Sequence, residues 1–135
     1  MLKVFSINHS IRNCYEKFAF INEAAEREYK ALPEDVQDAF GKDLRRIQYG
    51  QLPELPIGAM DSMETGVFGL KINGSPAYRC IHTSRYLDTV VVLHSFKKTT
   101  NGVDRKAQNV TEKRFRELMA DVRENEREKK YKSAA

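Results

Sequence analysis

The sequence predicts an α+β domain, a small and mainly antiparallel sheet in the order β-α-α-β-β-β-α, with an N-terminal helical hairpin and a C-terminal helix. Apolar residues recur every three or four positions through residues 25–47 and again through 111–122, the period of a helix with one buried face. Between these stretches, three runs within residues 67–96 are apolar or alternate apolar with polar, have strand length and are separated by short polar turns. No internal repeat is visible.

Residues 1–16 carry no firm pattern and read as an N-terminal extension, although "KVFSI" has the makings of a short strand. "KFAFI" is a first strand, short and aromatic. Ala25, Tyr29 and Leu32 then form one helical stripe, which Pro33 ends because proline cannot continue a helix and sits well in the first turn of the next. In that second helix Val36, Phe40, Leu44 and Ile47 make the stripe. Glu34 and Asp35 complement its positive end, Arg45 and Arg46 its negative end, and Gly50 is placed to cap it. "QLPELPIGAMDSMETG", with two prolines and a central glycine, reads as a loop. "VFGLKI", "AYRCIHT" and "TVVVLHSF" follow as an antiparallel meander joined by "NGSP" and "SRYLD". A last helix begins near Arg105 and buries Thr111, Phe115, Leu118 and Val122. Beyond Val122 the apolar stripe stops, and residues 123–135 are expected to be a frayed, solvated tail. The domain is thus expected to span residues 17–122.

A chain of 135 residues with 41% hydrophobic and 31% charged residues forms one globular core rather than a disordered segment. Its apolar runs are strand length, too short for a membrane span, and its first residues lack the apolar core of a signal peptide, so a cytoplasmic location is expected. Cys14 and Cys80 stand far apart without a CxxC or a Cys/His spacing, which argues for free thiols and against structural zinc. No phosphate loop, nucleophile elbow or dinucleotide turn is present, and Asp61 and Glu64 have no partner that would make them an acid–base pair. The net charge of +4 is a mild excess whose meaning depends on where it is collected.

It collects on the meander. Lys71 lies on the polar face of the first of its strands, Arg79 in the second, Arg85 in the turn after it, and His94, Lys97 and Lys98 close the third. Tyr78, Tyr86 and Phe96 lie among them, and Arg105 and Lys106 open the last helix. Spaced cations hold phosphates and interleaved rings stack on bases, the pattern of a surface for single-stranded nucleic acid. Each residue also has a plainer reading. A single lysine or arginine on a strand face is more often a surface charge, His82 and His94 are more often structural hydrogen-bonders, and Phe96 is more often packing.

The order of elements together with these residues resembles the HigB-like toxins, many of them phage-derived, of the RelE/ParE superfamily of type II toxin–antitoxin systems. The resemblance spans residues 18–118. It is carried by "LPEDVQDAF" and "DLRRIQYG", by "GVFGLKI" where the family commonly has a Glu-Leu-Arg strand, by "AYRCIHT" and by "VVVLHSFKKTT" and "EKRFREL". Its most specific piece is "LHSFKK". The resemblance implies an mRNA endoribonuclease acting in the ribosomal A site, without a cofactor or metal, neutralised by a small helix-turn-helix antitoxin. It implies that Arg79 clamps the scissile phosphate, that Lys71, Lys97 and Lys98 supply the remaining cations, and that His94 carries a proton or touches a base. Arg85, Phe96, Arg105 and Lys106 would extend the RNA contact. Two other activities fit the same resemblance, a ParE-like inhibitor of gyrase and a non-catalytic relative that binds nucleic acid or an antitoxin. The chain departs from the family's pattern at three places. Phe96 is followed at once by Lys97 and Lys98 where the family often spaces ring and lysines by one residue, Lys71 stands for an arginine, and Asp104 stands where a proline often opens the last helix. Aligned on that helix without a gap, Lys98 takes the first lysine position and Thr99 the second, which places Arg79 and Lys98 first among the candidates.

Overall fold

The computed structural model describes residues 3–5, 16–60, 66–99, 102 and 104–134, with side chains for all of these but 3–5 and 132–134. His9, Cys14, Asp61 and Glu64 lie outside the described residues. The elements are β1 (Lys3–Phe5), β2 (Lys17–Phe20), α1 (Glu23–Lys30), α2 (Glu34–Gln48), β3 (Ile57–Ala59), β4 (Val67–Ile72), β5 (Ala77–Thr83), β6 (Thr89–Lys98) and α3 (Arg105–Ala134). They build one six-stranded sheet in the order β1-β2-β6-β5-β4-β3. The expected meander forms its centre, with β4, β5 and β6 antiparallel in turn. β2 joins alongside β6, and this pair alone is parallel among the described strands. No helix of the described residues is long and apolar enough to cross a membrane.

The helical hairpin forms for the reasons its stripes suggest. The Asn22 side chain accepts from the Ala25 amide at 2.9 Å and caps α1. α2 ends at Gln48, Tyr49 caps it, and Gly50 follows with φ +74°. The Gly50 amide then reaches Ile47 O and the Gln51 amide reaches Arg46 O at 2.8 Å, a left-handed glycine closure of the helix. Gly41 lies within α2 because a Cβ there would stand 3.1 Å from the Tyr29 hydroxyl, so its absence lets α1 approach.

Three elements depart from the expected order. The segment read as a loop after α2 contains β3, which pairs Ile57–Ala59 with Phe68–Leu70. Its prolines precede the strand, and the chain is guided there by buried Asp43, whose carboxylate accepts the amides of Glu54 at 3.0 Å and Leu55 at 2.8 Å. At the other end, Lys3–Phe5 pairs with β2 as an added edge strand. The charged tail is helical rather than frayed, since α3 runs on to Ala134. Its residues are strong helix formers, Glu124 and Arg127 form an ion pair at 3.8 Å, and Glu126 stands four residues before Lys130 in the favourable order.

The two sheet faces are set by an irregularity in β6. Ile81 pairs with His94 but His82 pairs with Val92, so Leu93 is an extra residue in β6 without a counterpart on β5. Past this bulge the alternation is shifted by one. Val91, His94, Phe96 and Lys98 therefore share a face with Thr83, Ile81, Arg79 and Ala77 and, through the β4 register, with Val67, Gly69 and Lys71. α3 covers this face with Thr111, Phe115 and Leu118, all buried. The opposite face carries Phe18, Phe20, Leu70 and Cys80 and is covered by α2 and by Tyr29 of α1.

The bulge is anchored by an ion pair between buried Arg114 and half-buried Glu28. Arg114 of α3 donates from Nη1 to the Leu93 carbonyl at 2.9 Å. The same guanidinium grips Glu28 of α1 with both edges, at 2.7 and 2.9 Å, and His94 Nδ1 meets Glu28 Oε1 at 2.8 Å. Burial works against ionisation of Glu28, but the hydrogen bonds from His94 and Arg114 and their positive charge outweigh it and hold the carboxyl at about 2. Two elements and a strand that are distant in sequence are thereby tied at one point.

The turn between β5 and β6 holds strain that a substitution can release. Leu87 and Asp88 both have positive φ, 59° and 50°, in a tight turn closed by the Thr89 amide on Tyr86 O. Asp88 is also the negative neighbour that, after burial, helps raise the Glu16 carboxyl. Replacing Asp88 with Gly removes both penalties and should stabilise the fold by about 1 kcal/mol, read as a higher urea midpoint. A lower midpoint would show that the aspartate stabilises the turn instead.

The anchor predicts the opposite sign. Glu28→Gln leaves a buried guanidinium without its counter-charge and should cost about 3 kcal/mol at pH 7. Because the folded carboxyl titrates below its ordinary 4.5, its stabilisation is complete above that pH and is lost as the pH falls toward about 2. The gap in urea midpoint between wild type and variant should therefore close over that window, and a gap that stays constant would show that the charge of Glu28 is not what holds Arg114.

Candidate nucleic-acid interface

Cations from three neighbouring strands meet on the face that α3 shares. Lys71 stands opposite Arg79 across β4 and β5, Arg79 stands opposite Phe96 across β5 and β6, and Lys98 stands opposite Ala77 one step further along. The side chains of Lys71, Arg79, Phe96 and Lys98 line a single cleft of about 390 Å³ between the sheet and the start of α3. Gly58 and Gly69 are directly paired across β3 and β4, and the ends of the Lys71 and Ile81 side chains lie over them. From the helix side Asp104, Gln108 and Thr111 complete the wall.

Of the three cations, Arg79 is held by hydrogen bonds. Arg79 donates from Nη1 to its neighbour's carbonyl, Tyr78 O, at 2.9 Å, with Ile72 O at 3.5 Å, and its Nε and Nη2 make no hydrogen bond to the described residues. Partial burial lowers its pKa from the ordinary value, yet an arginine so shifted is still charged at neutral pH. Lys71 lies across β3, since a Cβ built on Gly58 would stand 2.9 Å from its Nζ and 3.1 Å from its Cε. Neither Lys71 nor Lys98 forms an ion pair with a described residue. The local charge is therefore three cations against one carboxylate, Asp104, whose Oδ1 accepts the Ala107 amide at 3.1 Å as the cap of α3.

The remaining residues singled out from the sequence lie elsewhere. Lys97 is on the other side of the bulge-shifted strand, opposite Tyr78, and lines a neighbouring groove of about 580 Å³ with the turn after β4. Arg79, Lys98 and Gly102 line both grooves. His94 is buried behind the cleft, stacked on Phe96 with ring centroids 4.8 Å apart at 25°. Arg85 lies at the far end of β5 against Gly66, and Arg105 and Lys106 are exposed in the first turn of α3. Tyr86 packs edge-on against Phe115, 5.9 Å away, as core.

Other titratable groups are ruled out as nucleophiles or bases by burial. His82 is held down at about 4 chiefly by desolvation and is neutral at pH 7. The Cys80 thiol is free and is pushed up to about 12 by burial, only slightly opposed by the Ser95 hydroxyl. Both are structural. The functional surroundings that sequence reading passed over are Glu28 and Arg114, the glycine pair and Asp104. A signal existed for the first two. Glu28 is three residues after Ala25 and four before Leu32, Arg114 three after Thr111 and four before Leu118, so opposite charges stand on two apolar stripes.

The comparisons bear on what this arrangement belongs to. The family model described as "Phage derived protein Gp49-like (DUF891)" matches residues 27–116, from within α1 to α3. That range holds every strand of the cleft, the paired glycines, both halves of the Glu28–Arg114 anchor and Asp104. No curated protein matches the chain. By its fold and by this match, the chain belongs to the phage-derived Gp49-like family, a branch of the RelE/ParE-like toxin superfamily.

Proposed function

We propose that the protein is a HigB-like toxin of a type II toxin–antitoxin pair and that it cleaves mRNA on the ribosome. The observation that carries the reading is the cleft in which Lys71, Arg79, Phe96 and Lys98 converge from three strands. Cleavage by the RNA's own 2′-hydroxyl needs little from a protein except charge and geometry. The 2′-oxygen bonds to phosphorus, the bond from phosphorus to the 5′-oxygen breaks, the 2′-hydroxyl loses a proton to water and the leaving oxygen gains one. The phosphorane between these events carries extra negative charge, and fixed cations in a partly enclosed site stabilise it.

Arg79 suits the central place. Its guanidinium is anchored by one nitrogen and still presents donors for a bidentate grip on two phosphate oxygens. Lys71 and Lys98 flank it, add charge and are protonated groups able to supply the leaving oxygen's proton. Phe96 offers a stacking face beside them, and His94, with Nδ1 committed to Glu28, serves by holding that ring. Lys97, Arg85, Arg105 and Lys106 lie where they would meet flanking phosphates. The partners on this reading are the ribosome with its mRNA and a helix-turn-helix antitoxin.

Arg79→Ala should lower cleavage of mRNA on translating ribosomes by about a hundredfold or more while leaving the melting temperature nearly unchanged. Mapped transcript ends at wild-type yield in that variant would remove the assignment, and intact mRNA with gyrase-linked DNA breaks for the wild type would favour the gyrase-inhibiting alternative.

Gly58→Ala tests the positioning of Lys71. The atoms that a new Cβ would meet are the end of a flexible side chain, so the fold should keep its stability while the ammonium moves. Cleavage is expected to fall on the order of tenfold at an unchanged melting temperature. Unchanged cleavage would mean that the lysine head is not needed where Gly58 lets it lie.

A further inference from the structure

We infer that α3 carries a second RNA-binding surface, a row of cations along its outer side that lies on the phosphates of a double-stranded RNA. Lys106, Lys113, Arg116, Arg123, Arg127 and Lys130 follow one another at steps of three, four or seven residues, so they share one side of the helix, and all six are exposed. Asn109 and Ala120, which complete the spacing, are exposed and uncharged. The row is about 36 Å long. It faces away from the sheet, since Thr111, Phe115 and Leu118, on the other side of the helix, are the buried residues. Of its six cations, only Arg127 forms an ion pair with a described residue, Glu124 at 3.8 Å.

The acids of α3 are sorted to a different flank. Glu117, Asp121, Glu124 and Glu128 recur at the same steps of three and four, on the side of α1, where Glu117 accepts from the Asn22 side chain at 3.2 Å. A helix that is merely solvated gains from opposite charges at these steps. Along the basic row Lys113 is followed by Arg116, and Arg123 by Arg127 and then Lys130, like charges that repel until a polyanion covers them. The sorting also selects how the polyanion lies. A helix inside a duplex groove has phosphates on both flanks, and the acidic flank opposes that. Contact with a backbone from outside remains, which is how double-stranded RNA is met, since its deep groove is closed to side chains. Between Lys106 and Lys130 the outer side of α3 carries no aromatic ring to stack on an unpaired base, as surfaces for single strands do. The choice of RNA over DNA rests on the reading that the protein acts on the ribosome; the row of cations does not.

The test measures binding of the whole protein to a fluorescein-labelled RNA duplex of about 20 base pairs, by anisotropy over a range of salt, with the DNA duplex of the same sequence beside it. Arg123→Gln, Arg127→Gln and Lys130→Gln together remove half of the row, at the end of α3 away from the cleft, and glutamine is as good a helix former there. Affinity for the RNA should fall on the order of tenfold or more, and the slope of log affinity against log salt should become shallower by about two to three, at an unchanged melting temperature. Arg27→Gln, Lys42→Gln and Arg45→Gln together remove as much charge from exposed positions of the helical hairpin and should change the affinity by less than about twofold. Equal losses in the two triple variants, no loss in the first, or DNA bound as tightly as RNA would overturn the inference. Arg79→Ala separates it from the nuclease reading, since it should stop cleavage and leave duplex binding as it was. Duplex binding that needs the row, without cleavage of ribosome-bound mRNA by the wild type, leaves this surface standing and removes the nuclease; cleavage with duplex binding indifferent to the row does the reverse.

Discussion

One extra residue in β6 decides which side chains meet. Without Leu93, strict alternation from Val91 would put Ser95 and Lys97 on the face of Arg79 and Lys71, and would turn Phe96 and Lys98 to the other side. The bulge reverses that assignment for the second half of the strand. A bulge leaves a backbone group without its ladder partner, and here the Leu93 carbonyl is satisfied by Arg114. The guanidinium can lie in that interior only because Glu28 neutralises it with two hydrogen bonds. The composition of the cleft thus depends on an ion pair that does not line it. α1 and α3 are held to the same point of β6, which fixes the helix wall of the cleft relative to its sheet wall.

Electrostatics and shape act together across this arrangement. Arg79 and Lys98 line both the cleft and the groove beside the turn after β4, where Lys97 adds a further charge. The positive surface is therefore continuous from one face of the sheet around its end, and its two halves differ in shape. The first is recessed and apolar below, the second open and polar. On the proposed reading, the scissile phosphate belongs at the cations common to both, with the next phosphate over the open groove. Lys97 then contributes without sharing a face with Lys71, which resolves the apparent redundancy of adjacent lysines in "SFKK".

Most of the fold could be read from residue patterns, because its helices are amphipathic and its central strands are long and apolar. β3 could not, since a three-residue strand behind two prolines carries no alternation of its own; it forms because β4 has an unpaired edge and Asp43 delivers the chain there. The helical continuation of α3 was hidden by the end of its apolar stripe, for a stripe reports burial and not helicity. In the cleft, the spacing of Lys71 and Arg79 already implied that they meet, given the turn between their strands. The choice between Lys97 and Lys98 followed from the family resemblance and agrees with where the bulge sends Lys98, yet period-two reading alone favours Lys97. Nothing local in "VVVLHSF" marks the extra residue; its cause is Arg114, twenty-one residues further along the chain.

Asp104 shows how a departure from a family's pattern can carry information. A proline at the start of a helix fixes the backbone and offers no polar atom. Aspartate does the same work through a hydrogen bond and adds a charge that faces the cleft. Among three cations this charge weakens the hold on any phosphate, while the helix dipole favours it over a neutral cap. A negative group at this position is accounted for by the cap it makes and by the positive end of the α3 dipole that it faces. The paired glycines also have a local account, since a Cβ on Gly58 would meet Lys71 Nζ at 2.9 Å and one on Gly69 would meet Ile81 Cδ1 at 3.0 Å, so their absence makes room for both side chains.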